Sequence, residues 1–240
     1  FNKIITLSSG NCPTTTVPIE KCIPLNMCTR EQLAFITQYF SPTVQGFYYT
    51  FASIVALQAF VELGLYIVIT ATASHEWAKL SLSEDGSIKG DLDSLSRLVS
   101  LGRFVFKWYA VAALIFFIFA GFGGYWFLGL KSTPEVNWQL PWLTHVMFSS
   151  VLLWCMPFLF LLEGCDQVAK VAKFKLWQTF TSNIFFWVVI VTKSSLWAAT
   201  ALSMISVIFC IFYLLVIKRN FFRPFFAEAV SNSISWRREI

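Results

Sequence analysis

Charged residues are scarce in this sequence. Asp, Glu, Lys and Arg together make up 13% of the 240 residues, whereas 57% are hydrophobic. This composition lies far from that of water-soluble domains and excludes an ordinary soluble protein. Histidine is scarcer still, because the chain has only two, too few for a typical histidine-based metal site or catalytic triad. We therefore expect neither a metal nor a cofactor.

Long apolar stretches are what the sequence has instead. A helix needs about 20 apolar residues to cross a hydrocarbon core of about 30 Å. Five such stretches are present; four are long enough to cross the membrane, and the fourth in chain order, 177–192, is marginal. The sequence thus predicts an all-α polytopic membrane protein, with a helical bundle over 38–217 and about five transmembrane spans. The spans are 46–72, 108–130, 141–163, 177–192 and 196–217.

The segments that join these stretches alternate in their Lys and Arg content. Because basic residues are retained on the cytoplasmic side, the first span is predicted to run from outside to inside. The formal net charge of +5 is then explained by topology and by anionic lipid headgroups, so no nucleic-acid partner is expected. The number of Lys and Arg residues is five in 73–107, one in 131–140, three in 164–176, one in 193–195 and five in 218–240.

Two cytoplasmic segments show organisation of their own. Apolar residues recur near the helical period in 91–106, which predicts an amphipathic helix lying at the membrane interface, with Asp91 or Asp93 as its N-cap. The tail 218–240 combines Phe pairs, Trp and Arg, and is predicted to lie on the inner leaflet.

The first residues follow no helical or strand period. Residues 1–37 mix Pro, Thr, Cys and charge, and are predicted to be irregular. A first span that enters from outside requires its N-terminal side to be translocated. We therefore expect a further apolar helix upstream of Phe1.

Few polar side chains interrupt the apolar stretches, and these are the candidate site residues. Glu62 lies in the first stretch, one helical turn after Gln58. An acidic residue in the membrane costs about 2.5–3.5 kcal/mol on insertion scales, so it indicates either a functional site or a hydrogen bond between helices. Gln178, Thr181 and Asn183 form a second polar group, which either lines the same cavity or bonds neighbouring helices. No catalytic residue is assigned.

Short motifs over about residues 38–240 resemble those of one family of membrane transporters. They are Ser41-Pro42, Gln45-Gly46-Phe47-Tyr48-Tyr49-Thr50-Phe51, Leu57-Gln58, Glu62-Leu63-Gly64-Leu65, Ala73-Ser74-His75-Glu76, Arg97-Leu98, Leu162-Glu163-Gly164-Cys165 and Ser235-Trp236-Arg237-Arg238-Glu239-Ile240. In these motifs the chain is similar to the polysaccharide (O-antigen type) flippases of the multidrug/oligosaccharidyl-lipid/polysaccharide exporter superfamily. It departs from that family at the front, where residues 1–30 supply no hydrophobic first helix.

The resemblance implies a multi-pass transporter of the inner (cytoplasmic) membrane that exports a lipid-linked oligosaccharide. Such transporters are built as two helical bundles around a central cavity and work by alternating access. This chain would supply most of the first lobe, with 218–240 as the linker to a missing second lobe. The implied partners are the lipid-linked oligosaccharide, membrane lipids and that second lobe. The implied activity is transport without covalent chemistry.

Two other functions are compatible with a polytopic chain. A non-catalytic scaffold or subunit of a polysaccharide assembly complex needs no polar site in the membrane, so Glu62 and Gln58 favour transport over it. A membrane-bound polysaccharide polymerase needs a sizeable outer loop carrying its chemistry. The predicted outer loops, 131–140 and 193–195, are too short for that, and an enzyme is therefore not expected.

Overall fold

A computed structural model of the protein describes residues 38–62, 64–83, 85–130, 136–192 and 196–226. The predictions for 1–37 and for the tail beyond Phe226 lie outside these ranges. Within them the chain is mostly helical, with one small hairpin, a π-helical turn at Tyr213–Ile217 and a break in the helical path at Glu163–Gln167. The elements are α1 Pro42–Ala56, α2 Gln58–Glu62, α3 Leu65–Trp77, β1 Leu80–Leu82, β2 Ile88–Gly90, α4 Leu92–Leu130, α5 Gln139–Leu162, α6 Val168–Val191, α7 Trp197–Phe212 and α8 Arg219–Phe226.

The first predicted span, 46–72, is not one helix. It begins earlier, where the Ser41 hydroxyl accepts a hydrogen bond from the Val44 N–H and Pro42 occupies the first helical turn. It is then interrupted near Glu62: Gly64 adopts the left-handed conformation (φ 77°), which costs little only for glycine. The helical segments on either side of this break are bent by 46°.

The predicted interfacial helix and the second predicted span form a single helix. α4 has 39 residues, about 58 Å at 1.5 Å per residue, so it extends well beyond a hydrocarbon core. Its N-cap is Asp91, one of the two residues predicted for that position. The Ser94 N–H donates a hydrogen bond to the Asp91 carboxylate at 3.1 Å. This hydrogen bond lowers the pKa of Asp91. The sequence prediction of two elements was wrong because the amphipathic and apolar patterns share one helical phase.

The fourth span was predicted to begin at 177, which is nine residues after the helix begins in the structure. α6 starts at Val168, so the Lys-rich segment predicted as a cytoplasmic loop is helical instead. Its start follows the turn Glu163–Gln167, where Asp166 has a positive φ of 57° and the helical path is broken. The chain reverses direction at this turn.

Pairs of contacting residues show the directions of the helices. Phe106 contacts Phe158 and Gly121 contacts Trp142, so α4 and α5 are antiparallel. Phe174 contacts Tyr213 and Gln178 contacts Ser206, so α6 and α7 are antiparallel as well. Pro141 contacts Thr200 and Cys155 contacts Cys210, so α5 and α7 are parallel.

The broken first segment runs alongside α5 in the same direction. Its contacts descend α5 in order, from Phe51 beside Trp142, through Tyr66 beside Phe160, to Ser74 bonded to Gly164. The bent path from α1 to α3 therefore covers the whole depth of α5. Glu62 lies between the levels of Phe51 and Tyr66.

Three helical stretches of the described chain are long and apolar enough to cross a membrane: Leu92–Leu130, Gln139–Val191 and Trp197–Ile217. The bent segment from Pro42 to Trp77 makes a fourth if it is counted as one span. These stretches indicate a membrane protein. The second includes both α5 and α6 and the reversal between them.

One end of the bundle collects most of the basic residues, and we call it the basic end. There α3, α5 and α7 end and α4 and α6 begin, beside the hairpin and α8. In the tail helix α8, Phe221, Phe222 and Phe225 are buried against the bundle. The position of the tail on the inner leaflet stays a prediction. Arg103 on α4 donates to the Phe225 carbonyl at 2.8 Å, and Asn220 donates to the Asp85 carbonyl of the hairpin loop.

Close packing of α4 on α5 depends on Gly124. A Cβ at this position would lie 2.1 Å from Cζ2 of Trp142, a fully buried ring whose Nε1 donates to the Gly121 carbonyl at 3.3 Å. We expect Gly124→Ala to destabilise the bundle by about 1–3 kcal/mol, because the ring must shift in a packed core. Thermal unfolding in detergent measures this as a lower midpoint than wild type. Gly123→Ala is the control, since its Cβ would meet nothing within 4 Å, and equal midpoints for the two variants would contradict the packing argument.

Candidate functional site

The break in the first segment places Glu62 beside charged and polar groups of other helices. Glu62 is the last residue of α2, immediately before the break, and its side chain is half-buried. Lys175 on α6 and Tyr109 on α4 both lie close enough to interact with it electrostatically. The carboxylate predicted from sequence as the principal site residue thus lies where three parts of the bundle meet.

A second carboxylate lies in the same region. Glu163 accepts a hydrogen bond from the Lys175 ammonium, with Nζ 2.6 Å from Oε1. Its side chain is only 10% exposed, whereas that of Lys175 is 44% exposed. The Tyr66 hydroxyl on α3 also lies close enough to Glu163 to interact with it electrostatically. We call Glu62, Tyr66, Tyr109, Glu163 and Lys175 the charged cluster.

Gly164 allows the second carboxylate to approach the first segment. A Cβ on Gly164 would lie 2.6 Å from the Ala73 Cβ and 2.9 Å from the Thr70 carbonyl, so only glycine permits this contact. The Ser74 hydroxyl donates to the Gly164 carbonyl at 3.0 Å and fixes the approach. The turn Glu163–Gln167 after α5 therefore holds Glu163 against α3.

Two polar atoms near Glu62 are buried and have no hydrogen-bond partner in the described part of the chain. They are the side-chain oxygen of Gln58, at the start of α2, and the hydroxyl of Tyr109. Buried polar groups are almost always bonded, so each such group needs an explanation. A ligand that offers hydroxyl or amide groups would supply the missing partners.

The charges of the cluster do not balance. Glu163 forms an ion pair with Lys175, and Glu62 lies within electrostatic range of the same ammonium, so one negative charge is in excess when all three groups are ionised. A charge without a partner is unfavourable even where, as at Glu62, it is only half-buried. The cluster can take up one proton, or one cation, or exchange the Lys175 contact between the two carboxylates.

The second predicted group of polar residues has a different setting. Gln178 donates to the Ser206 carbonyl of α7 at 3.0 Å, and Asn183 is buried and donates to the Thr179 carbonyl of its own helix. Thr181 is half-buried. In the part of the chain that the structure describes, Gln178 and Thr181 make no hydrogen bond to Glu62 or Gln58. The contacts of Gln178 favour the alternative of a bond between helices, and a shared cavity stays a prediction.

Sequence reasoning missed most of the charged cluster. Lys175 was assigned to a cytoplasmic loop because the start of α6 was predicted too late, and Glu163 was treated as the end of a span. Tyr66 and Tyr109 gave no signal, since tyrosines are common in apolar stretches. The adjacent pair of an acidic residue and a glycine at 163–164, placed where the chain must reverse, is the signal that could have indicated the site.

Comparison with known proteins finds no match: no family model, no curated protein and no solved structure is similar to this chain.

Proposed function

We propose that this protein exports a lipid-linked oligosaccharide across the cytoplasmic membrane by alternating access, without covalent chemistry. The observation that carries the proposal is the break in the first segment at Gly64, directly beside the charged cluster. Transporters commonly form their sites at interrupted membrane helices, where ionisable side chains line the substrate path. The resemblance of motifs such as Glu62-Leu63-Gly64-Leu65 to polysaccharide flippases supplies the substrate class.

In this proposal the chain crosses the membrane five times. The bent segment from α1 to α3, then α4, α5, α6 and α7, run in alternating directions, which supports five crossings rather than three. The basic end lies in the cytoplasm because basic residues are retained there. A reporter inserted at 83–87 tests this orientation and should report cytoplasm.

The charged cluster gives the proposed transporter a polar contact for its cargo and a group that can change charge. Gln58 and Tyr109 offer unpaired atoms to sugar hydroxyls, and the excess carboxylate offers a site for a proton. Movement about the break at Gly64 would alter the distance between Glu62 and Lys175. Proton uptake and helix movement are thereby coupled in one place.

The five crossings supply one wall of the proposed cavity, and the second lobe implied by the family resemblance supplies the other. An enzyme such as a polymerase is a poorer fit, because the connections from Leu130 to Gln139 and from Val191 to Trp197 are short. A scaffold is a poorer fit because it requires neither the break nor the cluster.

Complementation tests the function. The complete gene that carries this sequence should restore surface glycan to a strain that lacks its flippase, whereas residues 1–240 alone should not. Restoration by 1–240 alone would contradict the two-lobe proposal. Failure of the complete gene, with the protein present in the membrane and a matching repeat unit available, would contradict transport itself.

A further inference from the structure

An apolar groove opens at the basic end between α5, α7 and α8. Its volume is about 590 Å³, within the range of sites that bind small molecules. The walls are formed by large apolar side chains of all three helices and of the turn Tyr213–Ile217, among them Trp154, Phe158 and Leu215. Two of these, Trp154 and Leu215, are themselves well exposed on the surface of the bundle. The groove is therefore a place for a flexible apolar chain rather than part of the packed core.

Two arginines border this groove. Arg219 and Arg223 lie four residues apart on α8, so their side chains project from the same face of the helix. Both are exposed, and neither forms an ion pair with a carboxylate of the described residues. The groove thus combines an apolar floor with two unpaired guanidinium groups at one edge.

The other cations nearby already have contacts. Lys218 is buried, hydrogen-bonds the side-chain oxygen of Gln167, and lies 5.7 Å from the ring centre of Tyr213. Arg103 donates to the Phe225 carbonyl. These groups add positive potential at the edge of the groove, while Arg219 and Arg223 are left to bind an external anion.

We propose that this groove binds one acidic phospholipid, with an acyl chain against the apolar walls and the headgroup phosphate on Arg219 and Arg223. A guanidinium group matches a phosphate with two parallel hydrogen bonds. Basic pockets between membrane helices on the cytoplasmic side select acidic lipids in this way. A zwitterionic headgroup is disfavoured, because its ammonium group would be repelled by the same cations. This inference does not depend on the proposed transport function.

Native mass spectrometry of the full chain in a neutral detergent tests the proposal. Phosphatidylglycerol and phosphatidylcholine with the same acyl chains are titrated, and retention of one lipid molecule is measured. We expect phosphatidylglycerol to bind about 10- to 30-fold more tightly, since each cation near the headgroup contributes modestly and two act together. Equal retention of the two lipids by wild type would overturn the proposal.

Two variants and a control assign the preference to the groove. The double variant Arg219→Gln/Arg223→Gln should lose it, whereas Lys89→Gln/Lys173→Gln, which removes two exposed positive charges elsewhere, should keep it. Leu215→Trp should reduce retention of phosphatidylglycerol by filling the groove while both arginines remain. Equal losses in the control and in the arginine variant, or no effect of Leu215→Trp, would contradict the site. A polyprenyl phosphate serves as a competitor. If it binds the groove at concentrations at which phosphatidylglycerol cannot displace it, a phospholipid is not the occupant.

Discussion

Replacing Glu62 by glutamine is expected to lower glycan export about 10- to 100-fold, with little change in the amount of protein in the membrane. Hydrogen bonds made by a charged group contribute about 1.5–3 kcal/mol, and each 1.36 kcal/mol is a factor of ten in rate. Glutamine keeps the shape of the side chain and relieves the excess negative charge of the cluster. The bundle should therefore remain folded while the group that changes charge is lost.

The control for this variant is Asp93→Asn, which removes one exposed carboxylate from the first turn of α4. Export is measured as surface glycan in the complementation strain, over a range of external pH. Asp93→Asn should behave as wild type. If Glu62→Gln also exports at the wild-type level throughout, Glu62 serves only in helix packing and the site assignment is wrong.

Replacing Lys175 by methionine is expected to have the largest effect on folding. It leaves Glu163, whose side chain is 10% exposed, without its cation. Removing one partner of a fully buried ion pair costs about 3–5 kcal/mol. Since 44% of Lys175 is exposed, we expect a smaller loss of about 2–3 kcal/mol, between the values for surface and buried pairs. Thermal unfolding of the purified protein in detergent measures it.

A double variant separates the ion pair from other effects of Lys175. In Lys175→Met/Glu163→Gln the uncompensated carboxylate is gone, so most of the stability should return. Lys173→Met is the matched control, because Lys173 is exposed on the same helix and makes no ion pair with a described carboxylate. A double variant as unstable as Lys175→Met, or an equally unstable Lys173→Met, would show that the pair is not what stabilises this region.

The helices themselves could largely be predicted from the sequence. Apolar stretches give α5, α7 and the part of α4 from 108 to 130 their positions, because length and hydropathy are properties of local composition. A cap at Asp91 or Asp93 followed from the amphipathic pattern, and the structure selects Asp91. The boundary of α6 did not follow, since Lys170 and Lys173 on its first turns resemble a cytoplasmic loop in composition.

The break at Gly64 could not be predicted from composition either. An isolated glycine is tolerated in membrane helices, and only the φ of 77° distinguishes this one from Gly123, which lies within a regular helix. The partners of Glu62 were equally hidden. Lys175 comes close to Glu62 through the reversal after α5, and tertiary contacts of that kind leave no periodic pattern in the sequence.

The central claim is that the protein moves a lipid-linked oligosaccharide through a path that includes the charged cluster. Its most direct test is a flipping assay with the purified complete protein in vesicles that contain a fluorescent lipid-linked oligosaccharide. Label on the inner leaflet should become accessible to an external quencher faster than in protein-free vesicles, and Glu62→Gln should abolish most of that gain. A wild-type rate equal to that of protein-free vesicles would contradict the account.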